Sequence, residues 1–145
     1  MMKSQIYFLV KYETVTGYTY LVWALMEDPL LPDQAAMLIN DDSNELFCST
    51  ISVWETAIKN AKRPDNFKMP YERLIYYCTE NGIRDLPLYF RHVDMYNTLS
   101  RSEKAPIHND PFDKKMIAQA KTDNLFFVTH DSLIKYYDEP CILFV

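Results

Sequence analysis

The sequence predicts an α/β domain: a mainly parallel central sheet with helices on both faces. Three observations predict it. Segments rich in β-branched and aromatic residues alternate with segments of helical periodicity along the whole chain, the pattern of βαβ units. The run "NLFFVTH" (124–130) is apolar without alternation, as a strand buried on both faces requires. The chain has 145 residues, 48% of them apolar, enough to fill the core of one domain, so a single unit over 1–145 is expected.

The elements follow in order. "QIYFLVKY" (5–12) reads as the first strand. "YTYLVWALME" (18–27) reads as a helix ended by Asp28-Pro29, because the residue before proline is pushed out of the helical region. A short helix over 31–40 and a turn at "DDSN" (41–44) lead to a strand at "ELFCSTI" (45–51). In the helix 52–62, Trp54, Ala57, Ile58 and Ala61 recur on one face, which is expected to be the buried one. A loop with two prolines (63–70) precedes a helix over 71–81, with Gly82 where a C-terminal cap belongs. Next are a short strand (83–88), a helix (89–100) and a polar loop to Asn109. A helix over 111–123, the strand 124–130, a short helix 131–137 and a last strand 141–145 complete the order.

Composition excludes several function classes. Only Gly17 and Gly82 are glycine, so no glycine-rich phosphate loop is present. The net charge of −5 argues against a partner held by blanket positive charge, and nucleic acid would need a local basic patch. Cys48, Cys78 and Cys141 are odd in number and widely spaced, with no histidine near them. They read as reduced thiols rather than disulfides or a zinc site. No apolar run approaches a membrane span, and "IYFLV" interrupted by "KYE" is no signal peptide, so a cytoplasmic protein is expected.

In a parallel sheet, ligands bind beyond the carboxyl ends of the strands. Three acids fall there or nearby. Asp113 shares a helical face with Met116, Ile117 and Ala120, where an unpaired charge is costly. The plainer account is a helix start, with Asp110 as N-cap, Pro111 at the first position and Asp113 at the capping-box position. That explains Asp110 better than the orientation of Asp113. Asp131 directly follows the strand, beside Thr129, and is equally readable as an N-cap. Glu55 lies in the first turn after "LFCSTI", where a solvated glutamate would also favour the helix dipole. Carboxylates gathered at one end of a sheet need a cation between them. Hard oxygen donors suggest Mg²⁺ or Mn²⁺, which generate hydroxide and stabilise charge in phosphodiester displacement.

The order "SVWETAIK", "HNDPFDKKMIAQA", "LFFVTHD" resembles the PIN-domain ribonucleases, especially the VapC-type toxins of bacterial toxin–antitoxin pairs. "YLVWALMEDPLL" also fits, and the resemblance covers roughly 18–145. It implies a PIN-like parallel α/β fold, Mg²⁺ or Mn²⁺ held by acids, and endonucleolytic cleavage of RNA. Carried over by motif, it assigns metal binding and catalysis to Glu55, Asp113 and Asp131. Thr129 matches the hydroxyl neighbour, and Asp110 the other motif aspartate, a cap and outer support. Lys114 stands where the family commonly has arginine, a positive charge beside the site. The resemblance also implies an antitoxin partner and allows a homodimer, with the apolar N-terminal helices offering the face.

One position departs from the pattern. The family's first acid ends strand one, six residues before the helix tryptophan; that count from Trp23 lands on Gly17, and the nearest upstream acid is Glu13. Two functions therefore stay open: a metal-dependent ribonuclease, and a catalytically silent PIN-fold binding protein. Other residues are read more plainly. His92, His108 and His130 are expected in surface, turn or structural roles, and Trp23 and Trp54 in the core. Tyr76, Tyr77, Tyr136 and Tyr137 suit core packing or a dimer face better than base stacking. Lys59, Lys62, Arg63, Arg101, Lys104, Lys114 and Lys115 either line an RNA path or are scattered surface charge.

Overall fold

The structure is a computed structural model that describes residues 11–63, 69–108 and 110–145. Among the described residues, five strands form one sheet in the order β3-β2-β1-β4-β5. They are β1 (Glu13–Thr16), β2 (Glu45–Ser49), β3 (Arg84–Leu86), β4 (Phe126–Thr129) and β5 (Ile142–Phe144), and every neighbouring pair is parallel. The α-helices described between and around them are α1 (Tyr18–Leu25), α2 (Asp33–Asn40), α3 (Thr50–Lys62), α4 (Tyr71–Glu80), α5 (Phe90–Tyr96) and α6 (Pro111–Asp123). A short 3₁₀ turn, Ile134–Tyr136, stands where a short helix was expected.

Side chains alternate across the strands, so the sheet has two apolar faces. Val15 of β1 and Phe127 of β4 are partners in register and pack with Met116, Ile117 and Ala120 of α6. Leu46 and Cys48 of β2 face the other way, toward Leu21 and Val22 of α1 and Leu74 and Cys78 of α4. Helices on both faces are what the strand and helix alternation demands. α4 ends as its sequence predicts: Gly82 has φ 70°, and the Ile83 N–H reaches back to the Cys78 carbonyl.

Among the described residues the first strand is Glu13–Thr16, after the expected apolar run. Residues 5–10 of that run lie outside the described residues, and Lys11 and Tyr12 are in no strand. β1 is central and buried, and its threonines survive burial by donating sideways. Thr14 Oγ1 donates to the Glu45 carbonyl and Thr16 Oγ1 to the Val128 carbonyl, at 3.0 and 2.8 Å.

α3 also presents a different face. Ile51, Ser52, Glu55 and Thr56 are buried, while Trp54 is 59% exposed. The expected core tryptophan is therefore a surface residue; Trp23 is partly buried against Tyr20 and Leu31. The small polar residues take the inside because hydrogen bonds satisfy them there. Thr56 Oγ1 donates to the Ser52 carbonyl, and Ser52 Oγ contacts the Thr16 carbonyl and Met116 Sδ.

Candidate metal centre

The strand order reverses its direction of growth at β1, which has β2 on one side and β4 on the other. A crevice beyond the carboxyl ends of these strands is the expected place for a site. A cavity of about 530 Å³ lies there, lined by Gly17 after β1, Glu55 and Lys59 of α3, Asp110 and Asp113 at the start of α6, and Asp131 after β4. The sheet thus brings together acids that are up to 76 residues apart in sequence.

Each acid is positioned by a local device. Asp110 is the N-cap of α6: its Oδ1 accepts the N–H groups of Phe112 and Asp113 at 2.9 and 3.2 Å. Pro111 follows at the first helical position. That cap fixes the first turn of α6, which turns the Asp113 carboxyl inward. Asp131 Oδ1 accepts the Leu133 N–H, and Thr129 Oγ1 accepts the Asp131 N–H, so the loop after β4 is tied at both ends. Glu55 is 6% exposed and pairs with Lys59 Nζ at 2.8 Å.

Asp113 carries the electrostatic signature. Burial, then Asp110, Glu55 and Asp131, push its carboxyl from an ordinary 3.8 up to about 8. Three carboxylates disfavour its ionisation, and Lys59 is engaged by Glu55. A divalent cation fits this donor set, since it would replace the missing positive charge.

The sequence profile of the PIN domain matches residues 19–140. The chain belongs to the PIN domain family. PIN domains generally use divalent metal ions, in keeping with the acidic group at the sheet's carboxyl edge. Among solved structures, the chain resembles VapBC2 from Rickettsia felis bound to a DNA fragment from its promoter, with a TM-score of 0.60 and 17% identity. That alignment covers 92% of this chain and 97% of the other. It also resembles FitAcB from Neisseria gonorrhoeae, with a TM-score of 0.51 and 17% identity over 82% of this chain and 88% of that one. At that identity the likeness is one of fold. No curated protein matches the sequence.

The PIN fold gives position 17 a clear meaning. Gly17 follows β1 directly, and a Cβ built on it would stand 3.8 Å from Asp113 Oδ1 and 3.9 Å from Met116 Cε. The position faces the acids but supplies no ligand. Glu13, the nearest acid upstream, sits at the opposite end of β1. Lys114 does not line the PIN cavity. It lies over the Tyr96 ring at 4.2 Å, in an adjoining cleft shared with Arg101 and Tyr137. One residue further along a helix turns the side chain by about 100°, so neighbours in sequence point apart. The cation that does line the cavity is Lys59.

His108 was expected in a surface or turn role; it lies in a loop, but its side chain points inward. Its side chain is 2% exposed, and Nε2 stands 3.6 Å from Asp113 Oδ2. One ligand atom from each of His108, Asp113 and Asp131 lies within 4.8 Å of the other two. Burial lowers the His108 pKa, opposed by Asp110 and Asp131, which favours a neutral ring. His130 keeps its expected exposed position, stacked on Tyr20 at 4.9 Å. His92 is structural: it closes a capping box with Tyr89 and meets Asp123 at 2.8 Å. No local pattern marked His108 as different; it lies in a polar loop without periodicity.

Proposed function

We propose that this chain is a metal-dependent endoribonuclease acting as the toxin of a toxin–antitoxin pair, as VapC-type PIN proteins do. The observation that carries the reading is Asp113, inward-facing, half-buried and surrounded by other acids, with no free lysine or arginine among the described residues lining the cavity. Glu55, Asp113 and Asp131 are the assigned ligands for Mg²⁺ or Mn²⁺. Bound there, such an ion supplies a nucleophilic hydroxide and neutralises charge on the phosphodiester in flight. Asp110 and Thr129 keep Asp113 and Asp131 in place through their backbone hydrogen bonds. Lys59, rather than Lys114, is the side chain placed to meet a phosphate at this cavity. Trp23 and His130, backed by the buried Tyr20, form an aromatic rim on which a base of single-stranded RNA can stack. The partner reading, an antitoxin that covers this chain, is supported by fold neighbours solved as VapBC2 and FitAcB, and a homodimer is part of the same proposal.

The second reading is a catalytically silent PIN protein that binds a partner or RNA. Two observations favour it: position 17 offers no carboxylate, and Glu55 is already paired with Lys59. Calorimetric titration of Mn²⁺ into the wild type and Asp113→Ala separates the two. Wild-type binding that the substitution abolishes, followed by metal-dependent RNA cleavage, is the expected result. No binding at millimolar Mn²⁺ overturns the nuclease reading and leaves the silent binder.

A further inference from the structure

We propose that His108 is itself a metal ligand, its Nε2 completing a mixed imidazole–carboxylate site with Asp113 and Asp131 in place of the carboxylate that position 17 lacks. The proposal rests on the metal-site reading above and goes beyond it, since no acid-only scheme uses this histidine.

The ring is built in rather than adventitious. The side chain is 2% exposed, and Nε2 is buried without a hydrogen-bond partner. Buried polar atoms without partners are rare, and one aimed at two carboxylates calls for a cation. At 3.6 Å, Asp113 Oδ2 is too far for a hydrogen bond but suits two donors that share an ion. The other ring nitrogen is occupied. Nδ1 and Tyr137 Oη are 3.0 Å apart, with the rings edge to face at 81°. If Nδ1–H donates to Tyr137 Oη, the lone pair of Nε2 is left facing the carboxylates, the usual outer support of a ligating histidine. Tyr137 is therefore a positioning residue, and it is buried too.

The spacing is close to that of a coordination sphere. Donors about 2.1–2.2 Å from one ion lie no more than about 4.4 Å apart. The three donor atoms here fall within 4.8 Å, so closure requires a few tenths of an ångström.

An imidazole donor has a selective consequence. It favours Mn²⁺ and, more strongly, Co²⁺ over Mg²⁺, which prefers all-oxygen surroundings. The experiment titrates Mg²⁺, Mn²⁺ and Co²⁺ into the full chain by calorimetry and records the visible absorption of the Co²⁺ form. The proteins are wild type, His108→Ala, His108→Gln, Tyr137→Phe and Asp113→Ala, each checked by circular dichroism and thermal melting. The wild type is expected to bind Co²⁺ and Mn²⁺ more tightly than Mg²⁺. His108→Ala should lose more than about tenfold in Co²⁺ and Mn²⁺ affinity, lose less for Mg²⁺, and shift the Co²⁺ spectrum. Tyr137→Phe should weaken Co²⁺ by about tenfold with the spectrum retained. Should His108→Ala fail to fold, His108→Gln and Tyr137→Phe carry the same comparison. If Asp113→Ala abolishes binding while the His108 variants keep wild-type affinities and spectrum, the site is acid-only; the proposal falls and the metal-nuclease reading stands. If the wild type binds none of the ions, both fall together.

Discussion

Two acidic regions occupy opposite ends of the same sheet, and their acids behave in opposite ways. At the amino end, a cleft of about 860 Å³ is lined by Glu27, Asp28, Asp33, Asp41, Asp42 and Glu45, with no lysine or arginine among its lining residues. It is the larger and the richer in carboxylates. Yet several of these acids are satisfied locally. Asp41 accepts from Ser43 N–H and Oγ at 2.9 and 2.6 Å, Asp28 accepts from Leu30 N–H, and Glu45 pairs with Arg84 at 2.9 Å. Hydrogen bonds from Ser43 hold the Asp41 carboxyl below its ordinary value, and Arg84 does the same for Glu45. At the carboxyl end, Asp113 is pushed the other way, up to about 8. A site is marked by an inward-facing acid crowded by other acids, and the number of acids in a cleft says little.

The largest expected effect breaks this comparison directly. Asp113→Ala should abolish Mn²⁺ binding and reduce RNA cleavage by more than the roughly 10–100-fold that outer supports command. Asp41→Ala and Asp42→Ala, at the other end, should change neither. Calorimetry on the three variants decides it. An amino-end variant that loses the ion would mean that the larger cleft is the true site.

Gly17→Asp sharpens the contrast, and its effect is next in size. The new Cβ fits, at 3.8 Å from Asp113 Oδ1, but the carboxyl it carries joins an already crowded group. Without metal, the variant should melt at a lower temperature than wild type, because like charges repel. With metal, it should gain about tenfold in Mg²⁺ affinity, since another hard oxygen balances the ion. Melting curves with and without Mg²⁺ check both signs. A variant that is destabilised in both conditions would remove position 17 from the site.

How much of this was legible follows from where each signal lies. The start of α6 was read to the residue, because N-cap, proline and helix face are local grammar within "NDPFD". Asp131 after β4 was legible for a related reason, as a turn residue after an apolar strand. β1 was missed, because "IYFLV" has more apolar weight than "ETVT", whose buried threonines are satisfied only by β2 and β4. The buried face of α3 was misread for the same cause. Apolar periodicity chose Trp54, whereas tertiary partners allow Ser52, Thr56 and Glu55 to go inside. His108 came beside Asp113 through chain closure, which no local window contains. Lys114 was carried over by motif, and the helix turned it toward Tyr96.

Proton linkage distinguishes the two ends at a smaller scale. The Asp113 pKa is about 8 in the fold and ordinary, 3.8, for an unperturbed aspartate. Between those values the folded chain holds a proton that the unfolded chain has lost, so stability falls as pH rises through the window. The melting temperature of the metal-free protein should therefore decline from pH 6 toward 9, and Asp113→Asn should flatten that decline. Glu45 and Asp41, with lowered values, act in the opposite sense: their contribution is present at neutral pH and lost on acidification. Metal binding at pH 7 should release about one proton per ion, read from calorimetry in buffers of different ionisation enthalpy. A melting temperature unchanged from pH 6 to 9 in the wild type would mean that Asp113 is ionised without help.

The smallest effect is expected from the amino end alone, and its smallness is the point. Asp41→Ala removes the acceptor of Ser43 N–H and Oγ, in a turn that remains open to water. Water replaces the lost acceptor, so the melting temperature should move by only about 1–2 °C. The Mn²⁺ isotherm should superimpose on that of the wild type. The cleft beside Asp41 is acidic because its residues end helices and open turns, where short polar side chains bond their own backbone. A change in Mn²⁺ affinity of tenfold or more in Asp41→Ala would show that local satisfaction does not silence an acidic cleft, and the distinction between the two ends would fail with it.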